Sequence, residues 1–290
     1  AIHYGQSVFE GLKAYKNPDG EVLIFRPEMN YHRINKSAVR MMMPTLSKDI
    51  FMNGMRELIS LDSAWIPDIE GTSLYIRPFM YATDEYIGIR TSDTYRFMII
   101  TCPVGAYYSQ PVKVKIEEHY TRAAKGGTGF AKTAGNYAAA LFPAYEAQKE
   151  GYNQLIWTDG QTHEYIEESG TMNIAFVIND TLVTAPVGDT ILDGITRDSV
   201  ITFAKDWGMN VEVRPITVAE LISAMENGEV QEAFGIGTAA TIANIETIGF
   251  RDKQYNLDLS KATFSAKVLK ALNELRYGKG EDKFGWNYKV

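Results

Sequence analysis

Residues 129–137 read Gly-Phe-Ala-Lys-Thr-Ala-Gly-Asn-Tyr, with Lys132 the one charge among small and apolar neighbours. Burial in such surroundings would lower the pKa of its amine and make it nucleophilic, which suits Schiff-base chemistry. A lone lysine beside a loop is more often an ordinary solvated side chain. Its company argues otherwise: Tyr137 five residues on, a carboxylate at Glu168 after a strand, and two glycine-bearing turns further along. Upstream, Val112-Lys113-Val114-Lys115-Ile116 alternates strictly and predicts a half-buried strand, followed by the glycine-rich stretch Gly126-Gly127-Thr128-Gly129. Downstream, a helix is expected from about Asn136 to Glu150, ending at Gly151.

Further out, the first hundred residues alternate strand-like and helix-like stretches. Apolar runs at Val8 to Tyr15 and Val22 to Phe25 flank the turn Asn17-Pro18-Asp19-Gly20 and predict a β-hairpin. Pro27 suits a first helical turn, and Tyr31, Ile34, Ala38 and Met41 mark one face of a helix that lasts until Pro44. Strands are expected at Ser73 to Met80 and Tyr95 to Cys102. Beyond Val112, Val200, Phe203, Ala204 and Trp207 recur at helical spacing and stop at Gly208. Thr217 to Glu220 is a capping box, and Phe264, Val268, Ala271 and Leu275 mark a last helix closed by Gly278. Pro103 to Pro111 carries two prolines and a glycine, which makes it the expected interdomain loop. This divides the chain into a small N-terminal domain (1–102), the loop (103–111) and a larger C-terminal domain (112–290). The chain opens directly on dense sequence at Ala1 rather than Met, so upstream residues are expected to be missing.

Composition narrows the function. With 45% hydrophobic and 22% charged residues in 290, the chain can bury a sizeable core. A net charge of -7 offers no footprint for a nucleic acid, and the longest apolar stretches, such as 97–103, are too short to span a membrane. Cys102 is the only cysteine, so no internal disulfide forms and a cytoplasmic, reducing location is expected. His3, His32, His119 and His163 are scattered, with no H-E-x-x-H pair, so no metal site is expected; no G-x-S-x-G elbow supports a serine hydrolase.

Two turns are candidate anion sites. Leu192-Asp193-Gly194-Ile195-Thr196-Arg197 places Thr196 at the N-cap of the following helix, where backbone N–H groups and the positive dipole end favour an anion. Phe234-Gly235-Ile236-Gly237-Thr238-Ala239 follows an apolar strand and brings backbone N–H groups close together. This second turn also reads as G-x-G-x-x-A from Gly235 to Ala240, but it lies late in the chain and lacks the strand–helix–strand context of a dinucleotide site. Asn179-Asp180-Thr181 matches a glycosylation acceptor and is read as a hairpin turn.

Eight ordered blocks resemble the branched-chain amino-acid aminotransferases, which are pyridoxal phosphate enzymes of fold type IV. They are His3 to Tyr15 (HYGQSVFEGLKAY), the FRP...HR pattern from Phe25 to Arg33, Leu74 to Pro78 (LYIRP), Pro103 to Tyr108 (PVGAYY), Ala131 to Tyr137 (AKTAGNY), Glu167 to Asn173 (EESGTMN), Leu192 to Arg197 (LDGITR) and Phe234 to Ala239 (FGIGTA). The resemblance implies an α+β fold with a small N-terminal α/β domain and a larger cofactor-binding domain. It implies transamination of leucine, isoleucine and valine with 2-oxoglutarate through a Schiff base on Lys132, using pyridoxal 5'-phosphate. The alternative within fold type IV is an aminotransferase acting on D-amino acids or bulky amines. A nicotinamide oxidoreductase and a non-enzymatic interaction protein are the readings from other classes; neither explains the matching lysine, glutamate, arginine and tyrosine.

Residue by residue, the resemblance makes Lys132 both anchor and acid/base, sets Glu168 against the pyridine nitrogen and gives Tyr137 the ring hydroxyl. Arg33, Thr196, the N–H of Ile195 and Thr238 would hold the phosphate. Tyr75 and the N–H groups of Thr238 and Ala239 would hold the substrate carboxylate, with Phe9, Gly11 and Thr171 around the side chain and Arg77 at the distal carboxylate of glutamate. Tyr4, Ile87 and Ile89 would reach in from a partner subunit, which implies a homodimer or a higher homo-oligomer. Some mammalian members carry a redox C-x-x-C after the G-T turn; here Ala240 and Ala243 stand at that point.

Overall fold

Strand alternation builds the first sheet from β1 (Ser7–Phe9), β2 (Leu12–Lys16) and β3 (Val22–Phe25), then, beyond helices α1 (Pro27–Arg40) and α2 (Gly54–Leu61), β4 (Ser73–Ala82) and β5 (Tyr95–Val104). The computed structural model describes residues 2–105, 108 and 110–290. In β4 the even-numbered residues Leu74, Ile76, Met80 and Ala82 are buried while Tyr75, Arg77, Phe79 and Tyr81 are only half-buried, the period-two pattern of a strand with two different faces. Leu74, Ile76 and Met80 join Val8, Leu12, Ile24, Ile34, Phe51, Met55 and Ile59 in one core. The helix expected after Pro27 forms, with Pro27 in its first turn, and ends at Arg40 before the left-handed Met42.

β1 and β2 both lie antiparallel along β4, with Val8 opposite Met80 and Lys13 opposite Tyr75, while β5 takes its other edge. The run expected to be one strand from Val8 to Tyr15 is thus interrupted at Glu10 and Gly11. The reason is chemical: Glu10 is fully buried, and its carboxylate takes the N–H of Gly11 rather than leaving the chain in a regular ladder. The second arm of the hairpin is as expected, with Ala14 opposite Ile24.

The second sheet draws on β6 (Val112–Ile116), β7 (Gln154–Thr158), β8 (Ile166–Ser169), β9 (Met172–Ile178), β10 (Thr181–Thr184), β11 (Asn210–Val213), β12 (Val230–Gly237), β13 (Thr241–Phe250) and β14 (Lys253–Asn256). The strands run in the order β11-β10-β9-β12-β13-β6-β7-β8, and β8 pairs again with β9, so six of them close on themselves. The same stretch of chain carries α3 (Ala134–Lys149), α4 (Ile195–Asp206), α5 (Val218–Glu226) and α6 (Thr263–Arg276). Thr217 caps α5 by accepting the N–H of Glu220 at 3.0 Å, as the capping box predicts. Asn179 and Asp180 both take positive φ between β9 and β10, the backbone that a two-residue hairpin turn demands.

A final strand, β15 (Asn287–Lys289), pairs with β3 of the first sheet. The chain accordingly divides into one unit of Ala1–Tyr107, Ala131–Gly135 and Lys270–Val290, and a second of Tyr108–Phe130 and Asn136–Leu269. A continuous C-terminal domain over 112–290 is therefore not what forms. Both the lysine segment and the chain's end return to the first sheet, and no local pattern announces a long-range pairing. Within the expected loop 103–111, Pro103 still belongs to β5, and Ala106, Tyr107 and Ser109 lie outside the described residues.

Candidate active site

Lys132 sits where the chain crosses back to β1. Val8 and Thr133 form an isolated antiparallel bridge, and Phe9 donates its N–H to the Lys132 carbonyl at 3.0 Å. Thr133 Oγ1 donates to the Ser7 carbonyl at 2.7 Å, and the Lys132 N–H reaches Ser37 Oγ at 2.9 Å. The backbone around the lysine is thereby held on two sides while its side chain stays half-buried, less enclosed than the sequence suggests. Its Nζ lies 4.7 Å from the centre of the Phe9 ring.

The same ring meets a second cation. The Arg77 guanidinium lies 4.8 Å from the Phe9 ring and 5.2 Å from that of Tyr75, and its Nη2 donates to the Tyr75 hydroxyl at 2.9 Å. Among the described residues Arg77 makes no ion pair, and its buried Nε has no hydrogen-bond partner. Tyr75 in turn closes over Gly11: a Cβ at that position would fall 2.2 Å from the Tyr75 hydroxyl oxygen, so only glycine fits without displacing the ring. Phe9, Gly11, Tyr75, Arg77 and Lys132, all named from sequence, are thus brought together on the first unit.

Arg33 is engaged differently. It projects from α1 and grips Glu10 with both prongs, Nε to Oε1 at 2.7 Å and Nη2 to Oε2 at 2.8 Å, while Asn30 donates to Oε2 at 2.7 Å. Both ions are buried, at 8% and 0% exposure, where such a pair is sustained only by good geometry and further hydrogen bonds. Glu10 was not singled out from sequence. The signal for it was a carboxylate embedded in an apolar strand, which must find a cation.

On the second unit the centre is Glu168. β8 and β9 form a hairpin whose two-residue turn, Gly170-Thr171, puts Glu168 directly opposite Asn173. Asn173 Nδ2 donates to Glu168 Oε1 at 3.1 Å, the Leu192 N–H donates to the same oxygen at 2.8 Å, and Arg122 Nε stands 3.1 Å from Oε2. Asn173 also donates to the Leu192 carbonyl, and a Cβ on Gly194 would come within 1.8 Å of its Oδ1. Asn173 and Arg122 are the groups that sequence reading missed. Asn173 was detectable from a glycine-led two-residue turn, which fixes the cross-strand register; Arg122 left no local trace.

Two expectations about the turns need correction. Gly194, in extended backbone, is the N-cap of α4, so Thr196 lies inside the first turn and is not the cap; the tight approach to Asn173 reserves the cap position for glycine. The stretch Phe234 to Ala239 is not one turn either. β12 continues through Gly237, with Gly235 paired to Ala243 and Ile174, and only 238–240 form the turn. The glycines serve packing, since a Cβ on Gly235 would lie 2.5 Å from Met172 Cε. The turn leads into β13 and not into a helix, so the G-x-G-x-x-A match has no dinucleotide geometry.

The remaining expected residues sit on recognisable elements. Ile195 and Thr196 are buried in the first turn of α4, Tyr137 is half-buried in the first turn of α3, and Thr238 and Ala239 occupy the β12–β13 turn. Thr171 is exposed. Tyr4, Ile87 and Ile89 are exposed at 43%, 82% and 89%, and the Tyr4 hydroxyl donates to the Ile87 carbonyl.

The amino-transferase class IV family model matches residues 7–248, and the chain belongs to that family. The fold is that of fold type IV. Among curated proteins it is 44% identical to a probable branched-chain-amino-acid aminotransferase of Staphylococcus epidermidis, over 100% of this chain and 82% of that one. It is 45% identical to branched-chain-amino-acid aminotransferase 2 of Bacillus subtilis, over 99% and 80%. Among solved structures it resembles the branched-chain aminotransferase of Thermoproteus uzoniensis with norvaline (TM-score 0.85, 26% identity, 99% and 91% coverage). The Escherichia coli branched-chain amino acid aminotransferase matches with TM-score 0.82, 28% identity and the same coverage. No described helix is long and apolar enough to cross a membrane.

Proposed function

We propose that this chain transfers the amino group of leucine, isoleucine and valine to 2-oxoglutarate, with pyridoxal 5'-phosphate as cofactor and a homodimer as the working unit. The observation that carries the reading is the Phe9 ring with Lys132 Nζ on it at 4.7 Å and Arg77 at 4.8 Å. An aromatic wall suits an aliphatic side chain, and a half-buried guanidinium without an acid suits the distal carboxylate of glutamate, which would be costly to desolvate otherwise. The named relatives, branched-chain-amino-acid aminotransferases at 44% and 45% identity over almost the whole chain, support branched-chain amino acids as the amino donors.

The residues present fit the cofactor. They include a half-buried amine, a buried carboxylate already supplied with N–H donors on one oxygen, and a helix whose N-cap, Gly194, has no side chain to occupy the anion position. When bound, pyridoxal phosphate supplies an electron sink for the substrate's α-carbon and a carbonyl carbon that carries the amino group. Lys132 would anchor it and move the proton at the α-carbon. Glu168 would hold the pyridine N–H, and Tyr137 the ring hydroxyl. Arg33, with its guanidinium fixed by Glu10, would bind the phosphate together with Thr196, Thr238 and the N–H of Ile195. Tyr75 and the N–H groups of Thr238 and Ala239 would take the substrate carboxylate, with Gly11 and Thr171 beside the side chain. The exposed Tyr4, Ile87 and Ile89 of one subunit would serve its partner. A cytoplasmic location belongs to the same reading, on the strength of a single, exposed thiol at Cys102.

A panel of L- and D-amino acids assayed with 2-oxoglutarate, alongside an absorbance spectrum, tests this. A yellow protein with activity on L-leucine, L-isoleucine and L-valine is expected. A colourless protein, or one that prefers D-amino acids, would overturn it.

A further inference from the structure

Two buried carboxylates stand next to each other on β8, and the structure treats them differently. The register of β7 against β8 shifts at Glu167, with Trp157 opposite Glu168 and Thr158 opposite Ile166, so the two carboxylates share the field of Arg122 but not the same partners. Burial pushes the Glu167 carboxyl up, against the pull of Thr190 and of the Arg122 charge, and its Oε2 has no hydrogen-bond partner. Glu168, by contrast, takes two N–H groups on Oε1 and faces the Arg122 guanidinium with Oε2 at 3.1 Å; these two side chains are only 8% and 4% exposed.

Arg122 does not depend on Glu168 for its position. Its Nη2 donates to the carbonyl of Gly129 at 3.3 Å and to that of Thr190, which are acceptors that pH does not change. The other cation that senses Glu168 is Arg197 on α4; its Nη2 goes to the Ala185 carbonyl at 2.6 Å and its Nε to Thr184 Oγ1 at 3.4 Å. Arg122 is thus a cation in direct contact with the carboxylate, while Asn173 and Leu192 contribute neutral donors.

We propose that Arg122 is a positioning residue that keeps Glu168 in its anionic form, so that the proton shared between Glu168 and a bound pyridine ring resides on the ring nitrogen. This rests on the pyridoxal phosphate reading above. Placing the proton on the nitrogen leaves an anion on the carboxylate, and a cation 3.1 Å away in a buried site stabilises that anion far more than neutral donors do. Without Arg122, the proton shifts toward the carboxyl and the ring becomes a weaker electron sink.

The test is nitrogen NMR of the holoenzyme reconstituted with pyridoxal phosphate labelled with nitrogen-15 in the ring, for wild type, Arg122→Gln and Arg122→Lys. Wild type is expected to show a protonated ring nitrogen. Arg122→Gln should move the resonance toward that of neutral pyridine, with kcat lower by roughly tenfold to a hundredfold, the range seen when a group that orients an active side chain is lost. KM should change little if Arg122 acts only through Glu168. Arg122→Lys, which keeps the charge, should restore the protonated signal. An Arg122→Gln holoenzyme with a protonated ring nitrogen and normal kcat would overturn the proposal. So would a neutral nitrogen in folded Arg122→Lys, which keeps the test alive if the glutamine variant does not fold. A wild-type protein that takes up no labelled cofactor would instead sink the cofactor reading, a distinguishable failure.

Discussion

The cluster around Phe9 and the cage around Glu168 handle charge in opposite ways. At Phe9, Arg77 reaches only aromatic rings and a tyrosine hydroxyl, and its Nε is buried without a partner. At Glu168, one oxygen takes two N–H groups and the other lies 3.1 Å from Arg122 Nε as an ion pair, although that Nε too is buried without a hydrogen-bond partner. A half-buried cation with no acid beside it is a costly thing to keep unless something arrives to meet it, whereas a carboxylate paired with a cation is built to hold one state. The first arrangement suits recognition of a substrate that comes and goes; the second suits a permanent electrostatic role.

The largest effect that would break this contrast belongs to the lysine between them in sequence. Lys132→Ala should lose roughly four or more orders of magnitude in turnover while keeping its fold, measured by single-turnover amino transfer and circular dichroism. Substantial residual turnover would remove Lys132 from the chemistry. Next comes Glu168→Gln, which keeps the size of the side chain but not its charge. It should retain cofactor and lose about two orders of magnitude in kcat, the scale of a lost preorganised electrostatic contact. A cofactor-loaded variant with near-normal kcat would make the cage structural only.

Much of this was legible before any coordinates. Strict alternation located β6, a proline marked the start of α1, and a capping box marked α5, because each is a local rule acting over a few residues. Lys132 and Glu168 could be named as candidates because each lies in a motif that carries its chemistry within itself. The site was not legible where partners come from distant sequence: Arg122 meets Glu168, and Glu10 meets Arg33, only after the chain has folded. The glycines of 234–239 misled for a related reason. A glycine that makes room for Met172 and one that opens a turn to an anion look the same in sequence. The return of Ala131–Gly135 and Lys270–Val290 to the first unit was invisible too, since strand pairing between remote segments leaves no periodic signature.

A finer test of the recognition side is Arg77→Gln. If the guanidinium awaits a distal carboxylate, KM for 2-oxoglutarate and glutamate should rise about tenfold or more while KM for leucine and its 2-oxo acid stays within about twofold. Equal losses for both classes would make Arg77 a structural residue. A test of stability rather than of turnover concerns Lys13, cross-strand neighbour of Tyr75, whose ammonium is brought down to about 8 by burial and then by the charge of Arg276. The unfolded chain, with its lysine at 10.5, binds more protons between pH 8 and 10.5, so stability rises with pH across that window. Lys13→Met should therefore stabilise the protein by up to about 2–3 kcal/mol at neutral pH, with the gain shrinking as pH climbs toward 10.5. Urea unfolding at pH 7 and pH 10 checks this, and a gain that grows with pH would contradict it.

The central claim is that Lys132 is the residue that anchors the cofactor, held for that task by β1 and Ser37. Borohydride reduction of the holoenzyme and then peptide mapping tests it directly. The phosphopyridoxyl label should fall on Lys132 in the peptide that contains residues 129–137; label on any other lysine, or none after reduction of a yellow protein, would contradict the account.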